Sequence, residues 1–167
     1  NLLAEKSFIT GATGSKQRSE RPEMTINGKV YGSARIGEAI GESFDLPNDI
    51  SYCESCGQNL YMEWYYKLFR LTGDQKYMDA AERMLYNAVP GCVDIARPNY
   101  FYSNPQEQGP DSKRRGECEP DLNQDGNYTW KRAYTKKCAC CPPKVLRGLA
   151  MVNEIAYNVN DEGLWVN

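Results

Sequence analysis

Two short cysteine clusters are the residues of this 167-residue chain best suited to chemistry. The first is Cys-Glu-Ser-Cys at positions 53–56, and the second is Cys-Ala-Cys-Cys-Pro-Pro at positions 138–143. Thiolate and carboxylate ligands brought together are typical of a four-coordinate zinc site. The second cluster holds one thiol more than a two-plus-two site needs, and a spare thiolate beside zinc is a potential nucleophile. The pattern therefore indicates catalysis as well as structure.

The spacing alone leaves several kinds of site open. Cys53, Cys56, Cys138 and Cys141 have the spacing of a zinc knuckle, although a long segment separates the two pairs. That spacing favours structural zinc over two other interpretations, which are catalytic zinc or thiol chemistry, and disulfides or ordinary buried thiols. The chain has seven cysteines, so at least one lies outside any intramolecular disulfide. Metal-bound or reduced thiols therefore fit better than a disulfide framework.

A glycine-rich stretch before the first cluster carries two carboxylates, Glu38 and Glu42. In one interpretation they are solvated loop residues. In the other, one of them is a general acid that faces the thiol site. A retaining glycosidase needs such a proton donor about 5 Å from its nucleophile.

The elements that must position these groups are mainly helical. Apolar and aromatic residues recur with helical spacing from about 51 to 71, and Gly73 ends that helix. A second helix, capped by Asp74, is predicted to run to about 88, so the two form an α-hairpin. The two prolines of the second cluster open a third helix that runs to about 157. The paired cysteines stand just before its N-terminus, where the helix dipole favours thiolate.

Composition excludes several classes of partner. A net charge of −2 gives no broad attraction to nucleic acid or anionic membranes, and no apolar run approaches the roughly 20 residues of a membrane span. We therefore expect neither nucleic acid nor a membrane as a partner. The chain has no initiator Met, and residues 163–167 look like a strand that is just beginning. We expect it to be a piece of a longer protein.

Several ordered segments together resemble glycoside hydrolase family 127, the β-L-arabinofuranosidase family. The matches run from about residue 8 to residue 157, and their order makes the resemblance specific where single segments are not. They are Gly-Glu-Ala-Ile-Gly-Glu (37–42), Asp-Leu-Pro-Asn-Asp (45–49), Tyr-Cys-Glu-Ser-Cys (52–56), Thr-Gly-Asp (72–74), Glu-Arg-Met-Leu-Tyr-Asn (82–87), Phe-Tyr-Ser-Asn-Pro (101–105) and the second cysteine cluster.

The resemblance implies a mainly α fold. Members of the family have an (α/α)6 barrel followed by β-sandwich domains. Residues 1–158 would be the C-terminal portion of the barrel, which is the catalytic domain. Residues 159–167 would begin the following β domain, with the first strand of its β-sandwich.

The resemblance also implies a Zn²⁺ site, formed by Glu54, Cys56, Cys140 and Cys141. Cys53 would then be a bystander, in contrast to the zinc-knuckle spacing. Zinc coordination would turn the protonated thiols into thiolates at neutral pH.

Three further roles follow from the resemblance. Cys140 would be the nucleophile, Glu38 the general acid/base, and Tyr102 a substrate-binding residue. The implied activity is retaining hydrolysis of β-L-arabinofuranosides in a glycan or oligosaccharide substrate. The alternative is a non-catalytic helical protein with a structural Cys/Glu zinc site. Lys144 stands where the family commonly has Asn, and we expect it to alter the cleft beside the zinc.

Overall fold

The computed structural model describes residues 2–14, 24–26, 29–31, 43–48, 51–107 and 139–166. Helices dominate this part of the chain, and short antiparallel strand pairs accompany them. In chain order the elements are α1 (Leu2–Glu5), β1 (Met24–Ile26), β2 (Lys29–Tyr31), α2 (Ser55–Thr72), α3 (Gln75–Arg83), a π-helical turn (Met84–Ala88), a 3-10 turn (Pro90–Cys92), β3 (Val93–Asp94), β4 (Asn99–Tyr100), α4 (Cys141–Ala150), α5 (Val152–Ala156), β5 (Tyr157–Asn160) and β6 (Gly163–Val166).

The predicted α-hairpin is present as α2 and α3. Gly73 ends α2 in the left-handed conformation, with φ of 67°, and its N–H bonds the carbonyl of Phe69. Such a φ favours glycine, which has no Cβ to clash. The Asp74 side chain accepts from the N–H of Lys76 at 3.2 Å and so caps α3. Two consecutive residues therefore end one helix and begin the next.

The third helix is shorter than the periodicity predicts. It divides into α4 and α5 at Met151, whose N–H is shared between the carbonyls of Arg147 and Gly148. Sharing with the nearer carbonyl tightens the last turn of α4 toward 3-10 geometry. From Tyr157 onward the chain is extended, and β5 pairs with β6 as an antiparallel hairpin.

Helices α2 and α4 pack side by side and run in the same direction. At their N-termini the sulfur atoms of Cys56 and Cys141 lie 3.3 Å apart. Further along, the Tyr66 hydroxyl donates to the carbonyl of Glu154 at 2.7 Å. The parallel packing brings two helix N-termini, and the groups at them, to the same end of the molecule.

Two interactions lock α4 against α2 below that end. The buried Glu63 carboxylate bonds the ammonium of Lys144 at 2.8 Å. Gly148 sits so close to Asn59 that a Cβ added at this position would lie 1.9 Å from the Asn59 Oδ1 atom. A glycine suits this position because a Cβ would have to displace the buried Asn59 side chain.

The core lies between the α2–α3 hairpin, the N-terminal segment and α5. Helices α2 and α4 also carry an exposed apolar stripe. None of the described helices is long and apolar enough to cross a membrane. The buried apolar residues of the main cluster are Phe8, Ala12, Cys53, Met62, Tyr65, Tyr66, Met78, Ala81, Met84, Ala88, Val89 and Ile155. The exposed stripe consists of Leu60, Trp64, Leu71, Leu146 and Leu149.

Candidate metal centre

The start of α2 presents a carboxylate that does not cap its own helix. Glu54 occupies the N-cap position, yet its side chain makes no capping hydrogen bond. An acidic N-cap normally bonds the N–H groups of the first turn. Here its Oε1 atom instead faces the sulfur atoms of Cys140 and Cys141, at 3.8 and 3.7 Å. The carboxylate is therefore available as a ligand.

The start of α4 presents two thiols. Cys140 occupies the N-cap position and is exposed, whereas Cys141 is the first helical residue and is buried. Pro142 and Pro143 follow in the first turn, where a missing N–H removes no helical hydrogen bond. The prolines fix the backbone just after the two sulfur atoms.

Four ligand atoms converge where the two helices begin. One ligand atom each from Glu54, Cys56, Cys140 and Cys141 lies within 4.8 Å of the others. The sulfur atoms of Cys140 and Cys141 are 3.7 Å apart. Zinc with Zn–S distances of about 2.3 Å and a Zn–O distance of about 2.0 Å has tetrahedron edges of about 3.5 to 3.8 Å. The separations of 3.7 to 3.8 Å among Cys140, Cys141 and Glu54 fit these edges, whereas the Cys56–Cys141 separation of 3.3 Å is shorter. A donor set of three thiols and one carboxylate suits zinc.

The surroundings of Cys56 and Cys141 raise the pKa of both thiols and so favour their protonated form. Burial raises the pKa of Cys141 to about 12. Burial also raises the pKa of Cys56 well above the ordinary thiol value, and its contacts with Cys140 and Cys141 add to the effect. The helix N-terminus favours thiolate, but burial outweighs it at Cys141. A bound cation would reverse this balance, because a metal makes its thiol ligands deprotonate.

The chain matches a known protein family over the region that contains the four candidate ligands. The profile of the β-L-arabinofuranosidase GH127 catalytic domain matches residues 1–154, which is most of the chain. The chain belongs to the GH127 family. This outcome confirms the resemblance on which the four ligands were assigned.

Individual relatives agree with the GH127 membership. A non-reducing end β-L-arabinofuranosidase of Bifidobacterium longum subsp. longum is 28% identical over 162 residues, which are 97% of this chain and 23% of that protein. A solved structure described as a glycoside hydrolase matches 99% of this chain and 26% of its own, at 25% identity and a TM-score of 0.71. A solved GH127 β-arabinofuranosidase matches all of this chain and 21% of its own, at 30% identity and a TM-score of 0.66. The chain thus spans about a quarter of the length of these relatives.

The group of four candidate ligands does not include Cys53, which is one of the four cysteines with zinc-knuckle spacing. This residue is 1% exposed, has a φ of 37°, and does not belong to the four-residue group. Its sulfur lies against the N-terminal segment, where a Cβ added at Gly14 would be 3.3 Å from it. Burial raises the pKa of Cys53 to about 12. Cys138, the other knuckle residue, lies outside the described residues.

The other site residues considered from the sequence are Glu38, Glu42 and Tyr102. Glu38 and Glu42 lie outside the described residues. Tyr102 lies beside the candidate metal ligands, where it shares a buried cluster with Tyr52, Cys141 and the partly buried Cys56. Sequence reasoning missed Tyr52, although it precedes Glu54 by two positions.

Lys144 bonds a residue of the neighbouring helix. Its ammonium bonds the Glu63 carboxylate on α2 at 2.8 Å, and its side chain is 17% exposed. It therefore joins α4 to α2, and the expected change in the cleft beside the zinc stays a prediction. Glu63, a second residue missed from the sequence, is on the same helix as Cys56, two turns further on.

Proposed function

We propose that Glu54, Cys56, Cys140 and Cys141 hold a Zn²⁺ ion. The support is the convergence of their ligand atoms within 4.8 Å and the donor set of three thiols and one carboxylate, which suits tetrahedral zinc. When bound, the ion would keep its cysteine ligands as thiolates at neutral pH and hold them in a fixed orientation.

We propose that the GH127 protein containing this chain is a retaining glycoside hydrolase that releases L-arabinofuranose from β-L-arabinofuranosides. The observation that carries this proposal beyond family membership is the exposure of Cys140. In the group, Cys141 is buried and Glu54 and Cys56 are partly buried, whereas Cys140 is open to solvent. A nucleophile must be reachable by its substrate, and Cys140, the proposed nucleophile, is the exposed member of the group in the described part of the chain.

The proposed reaction has two steps. The Cys140 sulfur attacks the anomeric carbon, the bond to the leaving oxygen breaks, and Glu38 gives its proton to that oxygen. Glu38, now a carboxylate, then takes a proton from water. The hydroxide oxygen bonds the anomeric carbon, and the carbon–sulfur bond breaks. Two inversions leave the configuration retained.

The substrate side of the proposal rests on Tyr102. Its hydroxyl lies 2.9 Å from that of Tyr52, in the buried cluster that also contains Cys141. A hydroxyl in this place can hydrogen bond a sugar close to the reacting carbon. The proposed substrate is a glycan or oligosaccharide with a terminal β-L-arabinofuranosyl group, and this choice is supported by the match to the GH127 family.

The proposed architecture places residues 1–158 in the later part of an (α/α)6 barrel and residues 159–167 at the start of a β domain. The parallel packing of α2 and α4, with α3 as the partner of α2, supports this. The exposed stripe on α2 and α4 also supports it. Those side chains would pack against the helices that complete the barrel, because an exposed apolar stripe of this kind marks an interaction surface.

The test is hydrolysis of an aryl β-L-arabinofuranoside by the full-length protein, with zinc measured in each variant. We expect Cys140→Ser and Glu38→Gln each to lower kcat by at least 100-fold, while Glu38→Gln keeps one zinc per chain. Glu42→Gln is the matched control, and it should retain most of the activity. Zinc binding without cleavage of any furanoside or pyranoside would favour the alternative of a structural site.

A further inference from the structure

A pair of stacked tyrosines stands behind the proposed metal ligand Glu54. The rings of Tyr52 and Tyr102 meet edge to face, with centroids 5.9 Å apart and an interplanar angle of 69°. Tyr52 is 6% exposed and Tyr102 is 4% exposed. Their hydroxyl oxygens are 2.9 Å apart, and the Tyr52 hydroxyl also donates to Glu54 Oε2 at 3.4 Å. The Tyr52 phenol thus reaches one oxygen of the carboxylate, and the sulfur atoms of Cys140 and Cys141 face the other.

The backbone holds this arrangement rigidly. Glu54 forms an antiparallel bridge with Ser103, and the N–H of Ser55 donates to the carbonyl of Tyr102 at 2.9 Å. The buried Asn104 amide donates to the carbonyl of Cys53 at 3.0 Å and to the Ser55 hydroxyl at 2.9 Å. The segment that carries Tyr102 is therefore fixed against the segment that carries Glu54.

The number of hydroxyl protons limits the hydrogen bonds that Tyr52 and Tyr102 can donate. Each phenol has one proton to donate, and a carboxylate is a stronger acceptor than another hydroxyl. The Tyr52 hydroxyl is the donor both to the Tyr102 oxygen at 2.9 Å and to Glu54 Oε2 at 3.4 Å, so its single proton is shared between these two acceptors. Tyr102 therefore acts on Tyr52 as an acceptor that fixes the rotation of its hydroxyl.

We propose that Tyr52 is a positioning residue that holds Oε2 of Glu54 so that the carboxylate binds the metal through Oε1 alone, and that Tyr102 orients the Tyr52 hydroxyl. This inference rests on the proposed metal site. A carboxylate without such a partner can rotate and bind through both oxygens, which raises the coordination number. Tyr102 would then link the sugar side of the site to the metal side, because its oxygen remains able to accept a bond from a substrate hydroxyl.

The experiment removes single hydroxyls from the full-length protein and reads the metal directly. Tyr52→Phe and Tyr102→Phe are compared with Tyr66→Phe. Tyr66 is equally buried and donates a hydrogen bond to the carbonyl of Glu154. It lies about 15 Å from Cys56 along α2, at 1.5 Å per residue. The zinc dissociation constant is measured against a chromophoric chelator, and coordination is read from the visible spectrum of the Co²⁺-substituted protein.

We expect Tyr52→Phe to weaken zinc binding by about 10- to 100-fold, the usual range for a lost partner of a metal ligand. The intense d–d bands of tetrahedral Co²⁺ should weaken as the carboxylate becomes bidentate. Tyr102→Phe should have a smaller effect of the same sign, and the double variant should match Tyr52→Phe. Tyr66→Phe should leave both readouts unchanged.

Zinc affinity within twofold of the wild type, with an unchanged Co²⁺ spectrum in Tyr52→Phe, would overturn the inference. If Tyr52→Phe fails to fold, Tyr102→Phe decides the question by the same two readouts. Neither readout needs a substrate. A protein that shows the expected metal changes but no glycosidase activity would contradict the proposed reaction and leave the positioning role supported.

Discussion

The Glu63–Lys144 pair provides a test of how α4 is held in register with α2. The Glu63 side chain is 8% exposed and bonds Lys144 at 2.8 Å, Lys67 at 2.8 Å and Arg147 at 3.2 Å. Lys67 and Arg147 are 66% and 65% exposed, so their pairs are weak, whereas Lys144 is only 17% exposed. The perturbation is Glu63→Gln, which keeps the shape of the side chain and removes its charge.

The magnitude follows from the carboxyl pKa. Hydrogen bonds from Lys144 and then Lys67 lower the pKa of Glu63 from 4.5 to about 2. At about 1.4 kcal/mol per pKa unit, this corresponds to about 3 kcal/mol in favour of the charged form. The Gln side chain still accepts a hydrogen bond from Lys144, so we expect Glu63→Gln to cost about 1 to 3 kcal/mol.

The assay is urea unfolding of the full-length protein, with zinc release followed by a chromophoric indicator to report on this part of the chain. A double-mutant cycle with Lys144→Gln isolates the pair, and Lys67→Gln is the matched control because it removes an exposed partner of the same carboxylate. We expect a coupling of at least 1 kcal/mol for Glu63 with Lys144, and Lys67→Gln to cost below about 0.5 kcal/mol. Coupling near zero would show that the Glu63–Lys144 pair does not stabilise the contact between α4 and α2.

The pH dependence has a definite sign. The folded-state pKa of Glu63 is lowered, so its stabilisation is present in full above about pH 4.5 and is lost as the pH falls toward 2. The stability difference between the wild type and Glu63→Gln should therefore be constant from pH 7 to pH 5. It should shrink below that range.

Two further predictions concern packing and ligand choice. Gly148→Ala would bring its Cβ to 1.9 Å from Oδ1 and 2.9 Å from Cγ of the buried Asn59, so despite its better helix propensity we expect a net loss of about 1 to 3 kcal/mol in the free energy of unfolding. Gly57→Ala, whose Cβ would meet nothing nearer than 3.5 Å, should be neutral or stabilising, and equal effects of the two changes in urea unfolding would contradict the close approach. Cys53→Ala should keep one zinc per chain at a cost of about 1 kcal/mol, whereas Cys56→Ala should lose the metal. Elemental analysis of the purified variants decides this prediction, and a zinc-free Cys53→Ala would return Cys53 to the ligand set.

The local elements were predictable because their signals are contiguous in the chain. Gly73 and Asp74 mark the corner between α2 and α3 by their own conformational preferences. The break at Met151 carries no such signal. It depends on how one N–H divides between two carbonyls, and the apolar periodicity continues across it.

The site could be assigned only in part from local chemistry. The spacing of the cysteines favours Cys53 as much as Cys56, and only the left-handed backbone at Cys53 and the direction of α2 separate them. The unused capping position of Glu54 is likewise a property of the folded chain. The ordered segments of the GH127 family supplied what spacing could not. The Glu63–Lys144 pair depends on a helix crossing that no single segment specifies.

The central claim is that Cys140 is the nucleophile of a GH127 glycosidase. The most direct test is mass spectrometry of the full-length Glu38→Gln protein, quenched with acid soon after mixing with an aryl β-L-arabinofuranoside. The aryl group leaves without acid assistance, while removal of the sugar from sulfur lacks its base, so the intermediate should accumulate. We expect one pentosyl unit on the peptide that contains Cys140, and none in the Cys140→Ser protein. Turnover of the substrate by the wild type with no adduct on Cys140 in the Glu38→Gln protein would contradict it.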